Sequence, residues 1–211
     1  MSVLFGSLYR TGILFAMPRV TEAYRTARRE QIVEAAIRVL TRKGVARTSI
    51  ADIIAESGLS AGSIYSNFRN KGELGSFVAR TVLGTRVQDV VALARDSAEP
   101  LTPRKALEGL LTAVHDRQPP FAVVLQFWGE ATVDSDLGAA VHQILGELEA
   151  HLTEAITPWA EKHSGATDAS ALAASTATAM TAIAQSYVVR SALGADLEPV
   201  PYLASLAAAL G

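Results

Sequence analysis

The chain predicts an all-α protein, with a three-helix N-terminal unit followed by a larger helical body, about nine helices in all. Apolar residues recur at spacings of three and four along nearly all of its 211 residues, and the strict alternation of a half-buried strand is missing. Apolar residues make up 49% and aromatic residues 6%, and alanine is abundant; this composition suits closely packed helices and neither disorder nor a fibrous chain. Charge is divided unevenly. Residues 1–71 hold 11 Lys and Arg against 5 Asp and Glu, a net of +6, whereas residues 72–211 hold 8 against 16, a net of −8. A basic head on an acidic body suggests that the head meets a polyanion and the body does not.

The elements follow in order. Residues 1–20 read as a loosely ordered extension rather than a signal peptide, and Met17 is a second possible start. The apolar tract Met1–Met17 carries Arg10 and falls short of the ~20 apolar residues that span a bilayer. The first helix is expected over Ala23–Lys43, with Ile32, Ala35, Ala36, Val39 and Leu40 as its inner stripe and Gly44 as a left-handed stop. Thr48 and Ser49 offer N-caps to a short helix ending near Ser57, with Asp52 in its first turn. Gly58-Leu59-Ser60 forms a connector, and Ser60 caps the next helix, Ala61 to about Phe68. A longer helix is expected over 73–95. Five more are expected at about 103–116, 119–132, 136–162, 168–193 and 199–210, with Asp134, Asp168 and Pro199 placed as helix starts.

Two short helices joined by a Gly-containing turn form a helix-turn-helix pattern. Ile50, Ile53, Ile54, Ala55, Leu59, Ile64 and Phe68 are its apolar positions, with Ala55 expected where the helices cross. Ile64 and Phe68 face inward together, which leaves Ala61, Gly62, Ser63, Ser66 and Asn67 on the open side of the second helix. Small and polar side chains there let a helix approach base edges in a major groove. Asn67 suits an adenine edge and Ser63 a base or a phosphate; Thr48, Tyr65 and Lys71 suit the phosphate backbone. The candidate DNA-binding set is Thr48, Ser49, Ser60, Ala61, Gly62, Ser63, Tyr65, Ser66, Asn67 and Lys71. Arg25 and Arg28 are equally readable as phosphate contacts and as a solvated face.

The stretch TSIADIIAESGLSAGSIYSNF (48–68), followed by RNKGEL (69–74), resembles the DNA-binding domain of TetR-family transcriptional regulators over about residues 26–86, with the motif at 49–68. Its most specific parts are the Gly58-Leu59-Ser60 turn, Ile64-Tyr65, Phe68, and Lys71 with Leu74. The resemblance implies an all-helical dimer joined through its last two helices, with Ala61–Phe68 as the recognition helix on a roughly palindromic site. It also implies that residues 87–211 form a domain for effector binding and dimerisation, in which a small apolar effector moves the helix over 73–95. The pattern departs at Asn67, where relatives often carry an aromatic residue or His, so no base preference carries over there.

In the body, Phe121, Leu125, Trp128, Trp159, Met180 and Tyr187 read either as plain core or as the lining of a cavity that takes a small apolar effector. His115, Gln126, Glu130 and Gln185 are the polar groups that could orient such a ligand. The small residues Ala171, Ala174, Ser175, Ala177, Thr178, Thr181 and Ala182, with Tyr202, Leu203, Leu206 and Leu210, suggest a homodimer seam through the helices 168–193 and 199–210. With no cysteine, disulfides, Cys-based zinc sites and thiol nucleophiles are excluded. Glu147 and His151 read as an exposed helix pair rather than metal ligands, and no phosphate-cradling loop or catalytic set stands out, so the chain is expected to be no enzyme and to need no cofactor. A ligand-responsive, cytoplasmic repressor that binds operator DNA as a dimer and no membrane is the leading expectation. The alternatives are a transcriptional activator, or a helical ligand-binding or scaffold protein whose basic head binds another protein.

Overall fold

The computed structural model describes residues 22–70, 72–81, 99–116, 120–164 and 168–210. Among the described residues there are nine helical segments and no strand. They are α1 (Glu22–Lys43), α2 (Ile50–Ser57), α3 (Ala61–Asn67), α4 (72–81), α5 (Pro103–Asp116), α6 (Phe121–Glu130), α7 (Ser135–Ser164), α8 (Ala169–Ala192) and α9 (Pro199–Leu210). The extension 1–20, Lys71 and the rest of the helix expected over 73–95 lie outside the described residues. No helix among the described residues is long and apolar enough to cross a membrane.

Local chemistry explains the boundaries of the head. Ser49 caps α2 in a full capping box: its hydroxyl accepts from the Asp52 amide, and the Asp52 carboxylate accepts from the Ser49 amide. Thr48, expected to share that capping, is buried instead, and its hydroxyl donates to the Gly44 carbonyl at 2.7 Å. Gly58 ends α2 at φ 66°, the left-handed geometry that lets the chain turn into α3 without strain on a side chain. Ser60 then caps α3 by accepting from the Ser63 amide. Ala55 is exposed, so the α2–α3 crossing is filled by Ile53 and Ile64 rather than by a small residue at 55.

Two apolar cores hold the chain. The first joins Ile32, Ala36 and Leu40 of α1 to Ile53, Ile64, Phe68, and Leu74 and Val78 of α4. It continues without a break into Val123, Val124 and Phe127 of α6 and Leu137, Val141 and Ile144 of α7. The second joins α5, the C-terminal half of α7, α8 and α9 through residues such as Leu110, Leu111, Leu152, Ile156, Met180 and Tyr187. The 30-residue α7 runs through both cores, and its most extensive partner is α8. Ala173, Ala177 and Ala184 are buried along α8, and such small side chains let the α7 backbone approach. Truncating a fully buried residue such as Ile64 to Ala should cost about 2–5 kcal/mol.

A clamp of charges ties α1 to α2. Glu56 accepts from Arg38 at 2.8 Å and Arg42 at 2.5 Å, and Asp52 from Lys43 at 2.6 Å. These bonds, led by that of Arg42, pull the Glu56 carboxyl down from the usual 4.5 to about 2; Lys43 and the cap bonds lower Asp52 in the same way. A depressed carboxylate stabilises the fold fully above the unfolded value and loses that contribution as pH falls through the folded one. Urea unfolding midpoints should therefore fall as pH drops from 4.5 toward 2, and Glu56→Gln should flatten that slope. An unchanged slope in the variant would show that the clamp carries no stability.

Candidate functional site

The open face of α3 presents Ala61, Gly62, Tyr65 and Ser66 to solvent, while Ser63 and Asn67 are half-buried and Ile64 and Phe68 face the core. Tyr65 is 54% exposed, unusual for so large a ring beside a packed core. An open groove of about 1070 Å³ lies alongside, lined by Glu22, Tyr24, Arg25, Thr26, Arg28 and Arg29 of α1 and by Ser63, Ser66 and Asn67 of α3. It brings three guanidinium groups to the edge of the helix that carries the candidate base readers. Arg25 and Arg28, readable from the sequence either as phosphate contacts or as a solvated face, lie on the first two turns of α1 and line this groove.

Several candidates have work inside the head. Arg29 donates to the Asn67 carbonyl at 3.2 Å and lies over the rings of Phe68 and Phe77, so it fastens α3 to α1 and α4. Arg28 bonds to Tyr24 and Gln31. Asn67 donates its side-chain amide to the Ser63 carbonyl at 2.9 Å, and Ser66 donates to the same carbonyl. To engage an adenine edge through both its amide atoms, Asn67 must first give up that bond. Ser49 and Ser60 are exposed cap residues. Thr48, at 3% exposure, braces the α1–α2 turn and does not face a phosphate. Lys71 lies outside the described residues.

The second feature is a cavity of about 70 Å³ at the seam of the two cores. Its walls come from α5 (Leu110, Leu111, Val114), α6 (Phe121, Val124, Trp128), α7 (Ile144, Leu145, Leu148) and α8 (Thr181, Ala184, Gln185, Val188). Of the sequence candidates it gathers Phe121, Trp128 and Gln185. The others lie elsewhere. Tyr187 is buried in the second core, where it accepts from His115 Nδ1 at 2.9 Å and donates to the Leu197 carbonyl at 2.8 Å; burial pushes its phenol pKa up. Met180 is in that same core, and Trp159 stacks on His163 at the periphery. Leu125 and Glu130 are half-buried on α6, off the cavity wall.

Gln126 is the instructive correction. It turns away from the cavity, and its Oε1 accepts from the Val45 amide at 2.8 Å, across 81 positions of sequence. Gly44 makes room for it: at φ 80° a side-chain carbon there would sit 2.7 Å from Oε1. Helix α6 therefore walls the cavity on one side and grips the α1–α2 turn on the other.

Thr181, expected in a helix–helix seam, is instead a cavity residue. Its Oγ1 and the Nε1 of Trp128 are buried without a hydrogen-bond partner, and both residues line the cavity. Other helical threonines here (Thr41, Thr153, Thr157) donate back to the carbonyl four residues earlier. Leaving such a group unpaired costs about 1–3 kcal/mol, so two in one cavity need a reason. The small-residue stripe itself divides: Ala177 and Thr181 are buried within the chain, while Ala171, Ala174, Ser175, Thr178 and Ala182 form an exposed face. Tyr202 and Leu203 are buried against the chain's own second core and are closed to a partner; on α9, Val200 and Ala204 are exposed. The side chain of Leu210 lies outside the described residues.

Among the described residues no group of three His, Asp or Glu side chains could hold a metal ion. His142 and His151 donate to the carbonyls of Gly138 and Glu147, one turn back on α7.

A family model described as bacterial regulatory proteins, tetR family, matches residues 32–75, the stretch that contains α2, α3 and the inner stripe of α1. The head of the chain carries the N-terminal motif of that family. It is 37% identical over 98 residues to the HTH-type transcriptional regulator TtgR of Pseudomonas putida, a match covering 46% of each chain. It is 29% identical over 100 residues to an HTH-type transcriptional repressor of Mycobacterium tuberculosis, covering 47% of this chain and 46% of that one. In both, the match spans about half the length of the relative. A solved structure from Pseudomonas aeruginosa PAO1, described as a candidate transcriptional regulator, superposes with a TM-score of 0.73 over 90% of this chain and 92% of that one at 22% identity. That likeness shows a shared helical fold that runs through the body.

The two buried threonines give opposite expectations for one substitution. Thr48→Val breaks the bond to Gly44 and should lower stability by about 1 kcal/mol, whereas Thr181→Val removes an unpaired hydroxyl and should raise it by a similar amount. Thermal unfolding of the two variants measures both signs; a destabilised Thr181→Val would mean that its hydroxyl is satisfied after all.

Proposed function

We propose that the chain is a transcriptional regulator that binds an operator as a homodimer, blocks transcription there, and is released by a small, largely apolar effector held in the cavity between α5, α6, α7 and α8. The observation that carries this reading is the α3 face: small and polar side chains project outward on a helix fixed by Ile64 and Phe68, with Arg25 and Arg28 alongside. Similarity of residues 32–75 to a family of regulators, and a relative named as a repressor, support it. Two such helices on one dimer would enter successive major grooves, about 34–36 Å apart or slightly more. The exposed small-residue face of α8, with α9 beside it, is the seam proposed for the dimer.

Release needs only a modest bias. A tenfold loss of operator affinity corresponds to about 1.4 kcal/mol of differential effector binding. The route proposed is α6, because the helix that walls the cavity also holds the Val45 amide through Gln126.

Gel-shift titration on the DNA upstream of the chain's own gene tests the central claim, and no shift at low salt would sink it. Arg25→Ala and Lys71→Ala should each weaken binding to every sequence and reduce the slope of log affinity against log salt by about 0.9 per protomer, about 1.8 for the dimer. Substitutions at Ser63 or Asn67 should change sequence preference more than the slope. Gln126→Ala should lower operator affinity about three- to tenfold, the worth of one part-buried hydrogen bond, with the salt slope unchanged. A changed slope there would place Gln126 at the DNA.

A further inference from the structure

We infer that the cavity takes a neutral, ring-sized molecule that carries a hydrogen-bond acceptor, of the chemical class of an aryl ketone. This rests on reading the cavity as the effector site, and it adds what the effector must be. None of the described residues that line the cavity is charged. A cationic ligand would lose its hydration without a carboxylate to meet it, and an anionic one without a guanidinium. Neutrality follows.

The acceptor follows from the two unpaired groups. Trp128 Nε1 is buried, partnerless and able only to donate. Thr181 Oγ1 is buried and partnerless on the facing helix, and it can donate or accept. A ligand that is purely hydrocarbon leaves both unsatisfied; one with a carbonyl, ether or hydroxyl oxygen satisfies at least one. The rings of Phe121 and Trp128 on the wall favour a flat aromatic or similarly rigid body over a flexible chain.

Size gives the regulatory consequence. The cavity is about 70 Å³, roughly half the ~150 Å³ that accepts a benzene ring. A ring larger than this space presses on the walls as it enters. The wall formed by α6 is also the element that holds the Val45 amide, so the ligand acts as a wedge on the joint between cavity and head.

The test uses the full chain and three probes of similar size: acetophenone, ethylbenzene and phenylacetate. Calorimetric titration should show acetophenone binding about tenfold tighter than ethylbenzene, and phenylacetate not binding. Thr181→Val should shrink the acetophenone preference while leaving ethylbenzene affinity unchanged. In a Trp159→Phe background Trp128 is the sole indole of the chain. Its Nε1–H proton resonance should move downfield with acetophenone and not with ethylbenzene. Equal affinity for acetophenone and ethylbenzene, with each displacing the other, overturns the acceptor requirement while leaving a cavity that binds apolar molecules. Phenylacetate binding as tightly as acetophenone overturns neutrality, and no binding by either neutral probe overturns the inference as a whole. If acetophenone binds with the stated preference yet leaves the DNA complex intact, the ligand class stands and the effector reading fails.

Discussion

The helix that carries the candidate base readers shares its core with the body. Helices α1, α2 and α3, of 22, 8 and 7 residues, meet at Ile32, Leu40, Ile53 and Ile64. Ile64 and Phe68 are held in a core that continues through Leu74 and Val78 into Phe127, Leu137 and Ile144. The orientation of the α3 face is therefore a property of the body as much as of the head. Packed interiors resist continuous deformation, so a displacement of α6 or α7 would bear on the residues that hold α3.

The cavity lies where this arrangement is weakest. The first core ends at Val124 and Ile144, the second begins at Leu110, Leu111 and Ala184, and the gap between them holds two polar atoms that the chain leaves unpaired. A fold selected for stability alone would close such a gap or replace Thr181 with an apolar residue of the same shape. The defect sits beside α6, and α6 is the helix that Gln126 ties to the α1–α2 turn. Under-packing, unpaired polarity and a mechanical link to the head thus meet in one helix, and that conjunction argues for a binding role over accidental looseness.

What can be read from sequence follows the range of the interactions. Helix ends are set within a few residues by caps, prolines and left-handed glycines, so α5 and α9 fall where the sequence places them, and α6, α7 and α8 within about two residues. The helix-turn-helix is legible for the same reason, since the Ser49 and Ser60 caps, the Gly58 turn and the Ile64 and Phe68 pair all lie within one short stretch. The cavity is legible only in part. Phe121, Trp128 and Gln185 stand out by chemical type, but periodicity states that a side chain faces inward without saying what it meets. Gln126 meets an amide 81 positions away, and Tyr187 meets His115 and Leu197. Thr181 is hidden for a different reason. On a helix as uniformly small as α8, no apolar stripe separates the inner face from the outer, so Ala177 and Thr181 cannot be told from Ala174 and Thr178 until α7 is packed against them.

The charge of the head also needs its structure. A net of +6 over residues 1–71 overstates what a polyanion would meet. Arg38, Arg42 and Lys43 are engaged with Glu56 and Asp52, and Arg29 is packed over two rings. Arg69 pairs with Glu73. These cations stiffen the platform on which α3 sits, and the groove beside that helix is left to Arg25 and Arg28 with the exposed Tyr65 nearby. In the proposed dimer, affinity would depend on whether both heads present their grooves at the correct spacing, because phosphate contacts are lost if one head is turned away. That dependence is what would let a movement of α6, too slight to unfold anything, change occupancy of DNA.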